Sequence, residues 1–345
     1  MQPGLYNVDG FTPFDELLER KILRLENGTL LGNYYDFDYT SLEELEKAVE
    51  IIKRLDPKVT IPDYKNKDDD EIVEFFDRNF SDIHLIGKLV LPDTVTNIGN
   101  AALCDCIALE EVVLPETVEN LEPAAFASCR ELKKINFPKE LKIIGRNCFY
   151  NCPNLKEVDL RNVEEIRQSA FCDCIALTDV LLSDKLKELG TSVFYRCKKL
   201  TTIEIPDSIE EIKDRTFHQC KNLKNVKLSK NLKEIKRSAF EYCGLEQIKI
   251  PDNVEKIEKH AFGHNPLTSV VISTKTLSCA DAFKDCDKLK NIIYLGKTET
   301  LKLGDFPKGT ISIDELKIED MLSVLKIDSF KDINNIYKTK KEESR

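Results

Sequence analysis

The sequence predicts a repeat solenoid: a right-handed coil of about ten units of 22–23 residues, with parallel short strands on both walls. An α+β segment is expected to cap its N-terminal end and a helical segment its C-terminal end. Three observations predict this. The hexapeptide Cys-Asp-Cys-Ile-Ala-Leu occurs twice, at 104–109 and 172–177, 68 residues apart. An aliphatic register mark recurs at Ile86, Leu109, Leu132, Leu155, Leu177, Leu200, Leu223, Leu245, Leu267 and Leu289, with every spacing 22 or 23. Within each unit two short apolar stretches precede a Phe-x-x-Cys block, as in Leu109–Cys129, Leu200–Cys220 and Leu223–Cys243.

Charge divides the chain. It carries 61 Asp and Glu against 51 Lys and Arg, a net of −10, and residues 1–85 alone hold 20 acids against 10 bases. Three pieces follow: an acidic α+β cap domain over 1–85, the solenoid over 86–295, and a cap with a charged tail over 296–345. In the first piece, Thr12–Leu18 reads as a capped helix start. Residues 22–31 read as a hairpin turning at Asn27-Gly28. Ser41-Leu42-Glu43-Glu44 is a capping box opening a helix with Leu42, Leu45, Val49, Ile52 and Leu55 on one stripe. Asp68–Asp70 loads the N-terminus of a further helix, favourable against its dipole, and Ile72, Phe75, Phe76 and Phe80 are placed to plug the first coil. Tyr34, Tyr35, Phe37 and Tyr39 are expected to anchor the loop between.

In the solenoid, side chains alternate across each strand with period two. Val112 and Leu114 therefore face inward, and Glu111 and Val113 outward. Pro115, like Pro92, Pro138, Pro206 and Pro251, falls where the hydrogen-bond ladder ends, since it has no N–H to donate. Val118 and Leu121 begin the opposite wall. Phe126, Phe149, Phe171, Phe194, Phe217, Phe240 and Phe262 should stack as a spine inside. The cysteine of the motif recurs at Cys106, Cys129, Cys152, Cys174, Cys197, Cys220, Cys243 and Cys286, interrupted by Asn265. The second cysteine of the hexapeptide is thus a repeat position filling a small buried slot. Cys-x-Cys also departs from the spacing that zinc favours.

The Ala-Phe-x-x-Cys-x-x-Leu and Ile-x-[Leu/Ile]-Pro blocks resemble the BspA-like, Treponema-type leucine-rich repeat family over residues 86–295. The resemblance implies a parallel, right-wound solenoid that binds other molecules, often as a surface adhesin. It also accounts for Asn265, because Asn is the other residue such repeats use at the ladder position.

Stacked coils turn equivalent positions into columns. Glu119, Lys142, Glu164, Lys187, Glu210, Lys233 and Glu255 alternate in sign, which is ladder chemistry rather than a ligand signal. Beside them run an acidic stripe, Glu165, Glu188, Glu211 and Glu234, and a basic track, Arg146, Arg167, Lys213, Arg215, Lys236, Arg237 and Lys259. The acidic stripe could dock a basic partner in a salt-sensitive way, but a charge run usually means a solvated wall. The outward column of the first wall starts and ends apolar, at Val90 and Val113 and at Val271 and Ile293, where terminal elements are expected to fold over it. The open binding surface is then the centre, with Asp159, Asp179, Leu181, Thr202, Glu204, Lys227 and Lys249 as candidate partner-binding residues.

No phosphate loop, nucleophile elbow or His-Glu-x-x-His motif occurs. His260 and His264 are spaced like a ligand pair, yet Phe262 between them belongs to the spine. No catalytic residue, metal ligand or cofactor is assigned. An acidic chain argues against nucleic acid, and no apolar stretch approaches the ~20 residues of a membrane span. Past residue 295 the repeat fades; residues 313–336 read as helical, and Lys338–Arg345 as a charged tail. The expected function is a non-enzymatic, monomeric scaffold binding another protein through its open sheet. With no visible export signal and twelve cysteines, it is expected in the cytoplasm with its thiols reduced. The alternative is an exported, surface-associated adhesin or host-contact protein.

Overall fold

The computed structural model describes residues 11–12, 23–32, 87–106, 109–272, 276, 279, 281–289, 291–294 and 310–312. These form a parallel β-solenoid of about eight turns of ~23 residues, and no helix occurs among the described residues. Eight turns is fewer than the ten units expected; Leu109 to Leu289 bounds eight intervals, and the first start, Ile86, lies outside the described residues. The helices expected after Thr12, from residue 41, from residue 68 and over 313–336 lie outside them too, as do the aromatic loop at 34–39 and the charged tail, while Thr12 itself ends a strand.

The first wall runs from Phe11–Thr12 through Gly87–Val90, Leu109–Val113 and Lys134–Ile135 as one four-stranded sheet. The pairs Glu157–Leu160 with Asp179–Leu182, and Thr202–Glu204 with Asn225–Lys227, follow. A second four-stranded sheet closes the series with Gln247–Lys249, Ser269–Ile272, Asn291–Tyr294 and Thr310–Ser312. The second wall begins with the four-residue strands of the hairpin Leu23–Glu26 and Thr29–Gly32 and continues in two-residue strands to Glu188–Leu189 in one seven-stranded sheet. That hairpin is antiparallel, with Leu25 opposite Leu30, and turns at Asn27 (φ 50°) and Gly28 (φ 79°) as its Asn-Gly predicts.

The described terminal strands attach edge-on. Phe11–Thr12 pairs with Lys88 and Leu89, and Ile311 with Ile293. They lengthen the first wall; the cover expected over Val90, Val113 and Val271 is not made by these strands. The same pairing carries the sheet beyond residue 295, where the repeat pattern fades from the sequence.

Inside, the seven spine phenylalanines are fully buried, and neighbouring rings stack at 5.1–5.7 Å. The stack gains one member that the sequence reading omitted, Phe283, 5.4 Å from Phe262. Parallel stacking is imposed here by the coil repeat, which brings equivalent rings to nearly the strand spacing.

Candidate protein-binding face

The cysteine column shows why this residue type recurs. Cys129, Cys152, Cys174, Cys197, Cys220, Cys243 and Cys286 each donate Sγ–H to a backbone carbonyl at the spine position about 25 residues earlier, at 3.0–3.2 Å. Cys106 is buried at the head of the column. A thiol fits the slot and also satisfies an oxygen that would otherwise be buried unpaired. The sequence reading found the slot and missed the bond. All twelve cysteines are free thiols. Burial pushes Cys104 and Cys172 up to about 12, and the fully buried ladder thiols are raised as well. Cys104 and Cys172, the extra cysteines of the two hexapeptides, point their thiols at Asp105 and Asp173. Among the described residues no three His, Cys, Asp or Glu are placed to hold a metal ion.

The charge columns resolve in part into pairs. Glu164 meets Lys187 and Glu210 meets Lys233, each at 2.6 Å. On the first wall Glu111 lies 3.0 Å from Lys88 and 3.7 Å from Lys134. The acidic stripe is neutralised by the basic track beside it: Glu165 by Arg167 at 3.1 Å, Glu188 by Lys213 at 2.8 Å, and Glu211 and Glu234 by Lys236. The four carboxylates of the stripe are thus each paired, while part of the basic track is not.

All seven candidate partner-binding residues are exposed on the first wall. Five of them, Leu181, Thr202, Glu204, Lys227 and Lys249, line one groove of about 900 Å³. Asp159 and Asp179 stand outside it. Asp159 is held by Arg161 at 2.5 Å, which keeps its carboxyl below the usual range, and Asp179 accepts from Thr178 Oγ1 at 2.7 Å. The groove adds Lys224, Asn225, Glu246 and Gln247, which the sequence reading did not name. Asn225 and Gln247 belong to the second outward column of the same strands, so the period-two pattern could have found them. Across the groove Glu204 pairs with Lys227. Lys224, Lys249 and Glu246 form no ion pair among the described residues. Leu181 stands 51% exposed beside them, the most exposed large apolar side chain among the described residues. The backbone ladder is interrupted on either side of the Thr202–Glu204 and Asn225–Lys227 pair, so the groove lies where three short sheets meet.

Two parallel walls, a stacked phenylalanine spine and a Cys/Asn ladder together define a leucine-rich repeat solenoid. The chain belongs to the BspA type leucine rich repeat region family, six copies of which match across residues 74–201, 161–268, 187–308 and 256–344. No curated protein matches it in sequence. Among solved structures it is similar to a leucine-rich repeat protein from Bacteroides ovatus, with 25% identity, 67% of this chain and 70% of that one covered, and a TM-score of 0.46. It is also similar to the T. pallidum leucine rich repeat protein, with 28% identity, coverages of 45% and 76%, and a TM-score of 0.42.

Proposed function

We propose that this chain is a non-enzymatic scaffold that binds another protein in the groove between Leu181 and Lys249. The observation that carries this reading is Leu181, a half-exposed leucine at a groove whose other outward side chains are polar or charged. An apolar anchor inside a polar rim is how protein–protein interfaces are built. Lys224, Lys249 and Glu246 would supply charge complementarity, so binding should weaken with added salt.

The test is partner capture by the wild-type chain, by Leu181→Lys and by Tyr150→Ser, which alters an exposed aromatic far from the groove. Proteins retained by Tyr150→Ser and lost by Leu181→Lys are expected. If Leu181→Lys holds the same partners as the wild type, the groove is not the binding face.

The twelve free thiols support a reducing compartment. Surface labelling of intact cells checks this: protection is expected, and labelling would place the scaffold at the cell exterior.

A further inference from the structure

The solenoid edge formed by the Phe-x-x-Cys turns holds a second pocket, of about 330 Å³, spanning four adjacent coils. It is lined by Arg215, Arg237, Lys259, His218, His260 and Glu241. Three fixed cations thus meet a single carboxylate. That carboxylate is committed elsewhere: Glu241, with its side chain 9% exposed, lies 2.9 Å from His260 Nδ1, 3.3 Å from His218 Nδ1 and 4.0 Å from His264 Nε2.

The cations are left over. In the same basic track Arg167, Lys213 and Lys236 each take a carboxylate. Arg215, Arg237 and Lys259 form no ion pair among the described residues. Two imidazole nitrogens in the pocket, His218 Nδ1 and His260 Nε2, are buried without a hydrogen-bond partner. The approach of His218 to Glu241 is close enough for charge attraction but is not aligned as a hydrogen bond. The repeat departs from its own pattern here as well. The left-handed turn position is Ala101, Ala124, Asn147, Ser169 and Ser192 in five earlier coils; at the pocket it is Ser238 in one coil, but Arg215 (φ 53°) and His260 (φ 60°) in the coils on either side. Bulky side chains are disfavoured in that conformation, although Arg196 and Tyr242 also adopt it at the neighbouring turn position.

We propose that this pocket binds a small-molecule phosphate or sulfate ester, with the tetrahedral oxyanion seated among Arg215, Arg237 and Lys259. Guanidinium forks match such oxyanions with paired, charge-assisted hydrogen bonds. Glu241 accepts from His260 Nδ1 at 2.9 Å and so fixes that ring in the pocket wall. The volume falls at the low end for small-molecule sites and leaves room beyond the oxyanion. Tyr195, whose ring stacks on His218 at 5.2 Å, offers a face for the organic part.

Isothermal titration of the full chain with glucose 6-phosphate, glucose 6-sulfate, inorganic phosphate and glucose tests this. Saturable one-to-one binding of an ester is expected, and no binding of glucose. The tighter ester distinguishes a phosphorylated from a sulfated source. The double variant Arg215→Gln/Arg237→Gln should weaken binding at least tenfold with an unchanged melting midpoint, whereas Lys249→Gln, on the other wall, should not. In the wild-type chain, ester-induced NMR shifts should centre on His218 and His260, which tests the site without any variant. Absence of saturable binding, equal loss in Lys249→Gln, or shifts centred on Lys224 and Lys249 would overturn the proposal.

Discussion

Asn265 donates its side-chain amide to the Phe240 carbonyl at 2.7 Å, the bond that Cys243 makes to Phe217 one coil earlier. The asparagine does more than the thiol it replaces. It also donates to Phe262 O at 3.0 Å and accepts from Leu245 N at 3.1 Å. Asn265→Leu would strand these buried groups, at a cost of about 2–4 kcal/mol. Asn265→Cys keeps the Phe240 bond and should cost less. Urea midpoints of the two variants check the order; equal loss would mean that slot volume matters and the bond does not.

Phe194 is fully buried between Phe171 and Phe217. Phe194→Ala should cost ~3–5 kcal/mol. Phe283→Ala, at the last described ring of the stack and slightly exposed, should cost less. Because coils interact with their neighbours, the central variant should also broaden the urea transition, which a denaturation curve reads directly.

Thiol chemistry follows from burial. With Cys104 and Cys172 at about 12 and the fully buried Cys152 and Cys197 raised too, little thiolate exists at these positions at pH 8. Iodoacetamide should modify the native chain slowly and all twelve cysteines once denatured, as counted by mass spectrometry. Rapid native alkylation of Cys152 or Cys197 would show that the solenoid opens far more often than this packing implies.

The imidazole cluster sets an acid limit. Burial lowers His218 from its ordinary 6.5, and Arg215 pushes the same way, outweighing the pull of Glu241. Burial works to raise Glu241, but hydrogen bonds from Ser238 and His260 and the histidine charges hold it below 4.5. Both groups are therefore depressed in the folded state. His218 contributes stability that is present above its unfolded value near 6.5 and lost as pH falls through its folded value. Glu241 contributes likewise from about 4.5 downward. The urea midpoint should fall in two stages between pH 8 and 4, and His218→Phe should remove the upper stage alone. A midpoint that rises on acidification to pH 5.5 would reverse the sign assigned to His218.

Much of this architecture was legible in the residues themselves. The spacing of Leu109 to Leu289, the phenylalanine spine, the cysteine slot and the outward positions of the first wall are local patterns repeated coil after coil. Each copy meets nearly the same environment, so one register reading holds for all. The Asn27-Gly28 turn was legible for the same reason, since φ above zero at both positions selects those residues. Other features depend on how coils sit on one another. The groove opens where the ladder is interrupted, so Leu181 and Lys249 face one space while Asp159 and Asp179 are tied to their own neighbours. Whether a lysine of the basic track is paired or free turns on ångström-scale reach to the next coil: Lys213 finds Glu188, and Arg215 finds no carboxylate among the described residues. The gathering of Tyr195, Arg215, Arg237 and His260 around Glu241 joins residues from four coils. By itself the sequence determined the repeat and its faces, because periodicity alone dictates which side chains point inward. Only the tertiary structure decided where those faces open and which charges stay unpaired, because these depend on the relative positions of neighbouring coils, which no single repeat encodes.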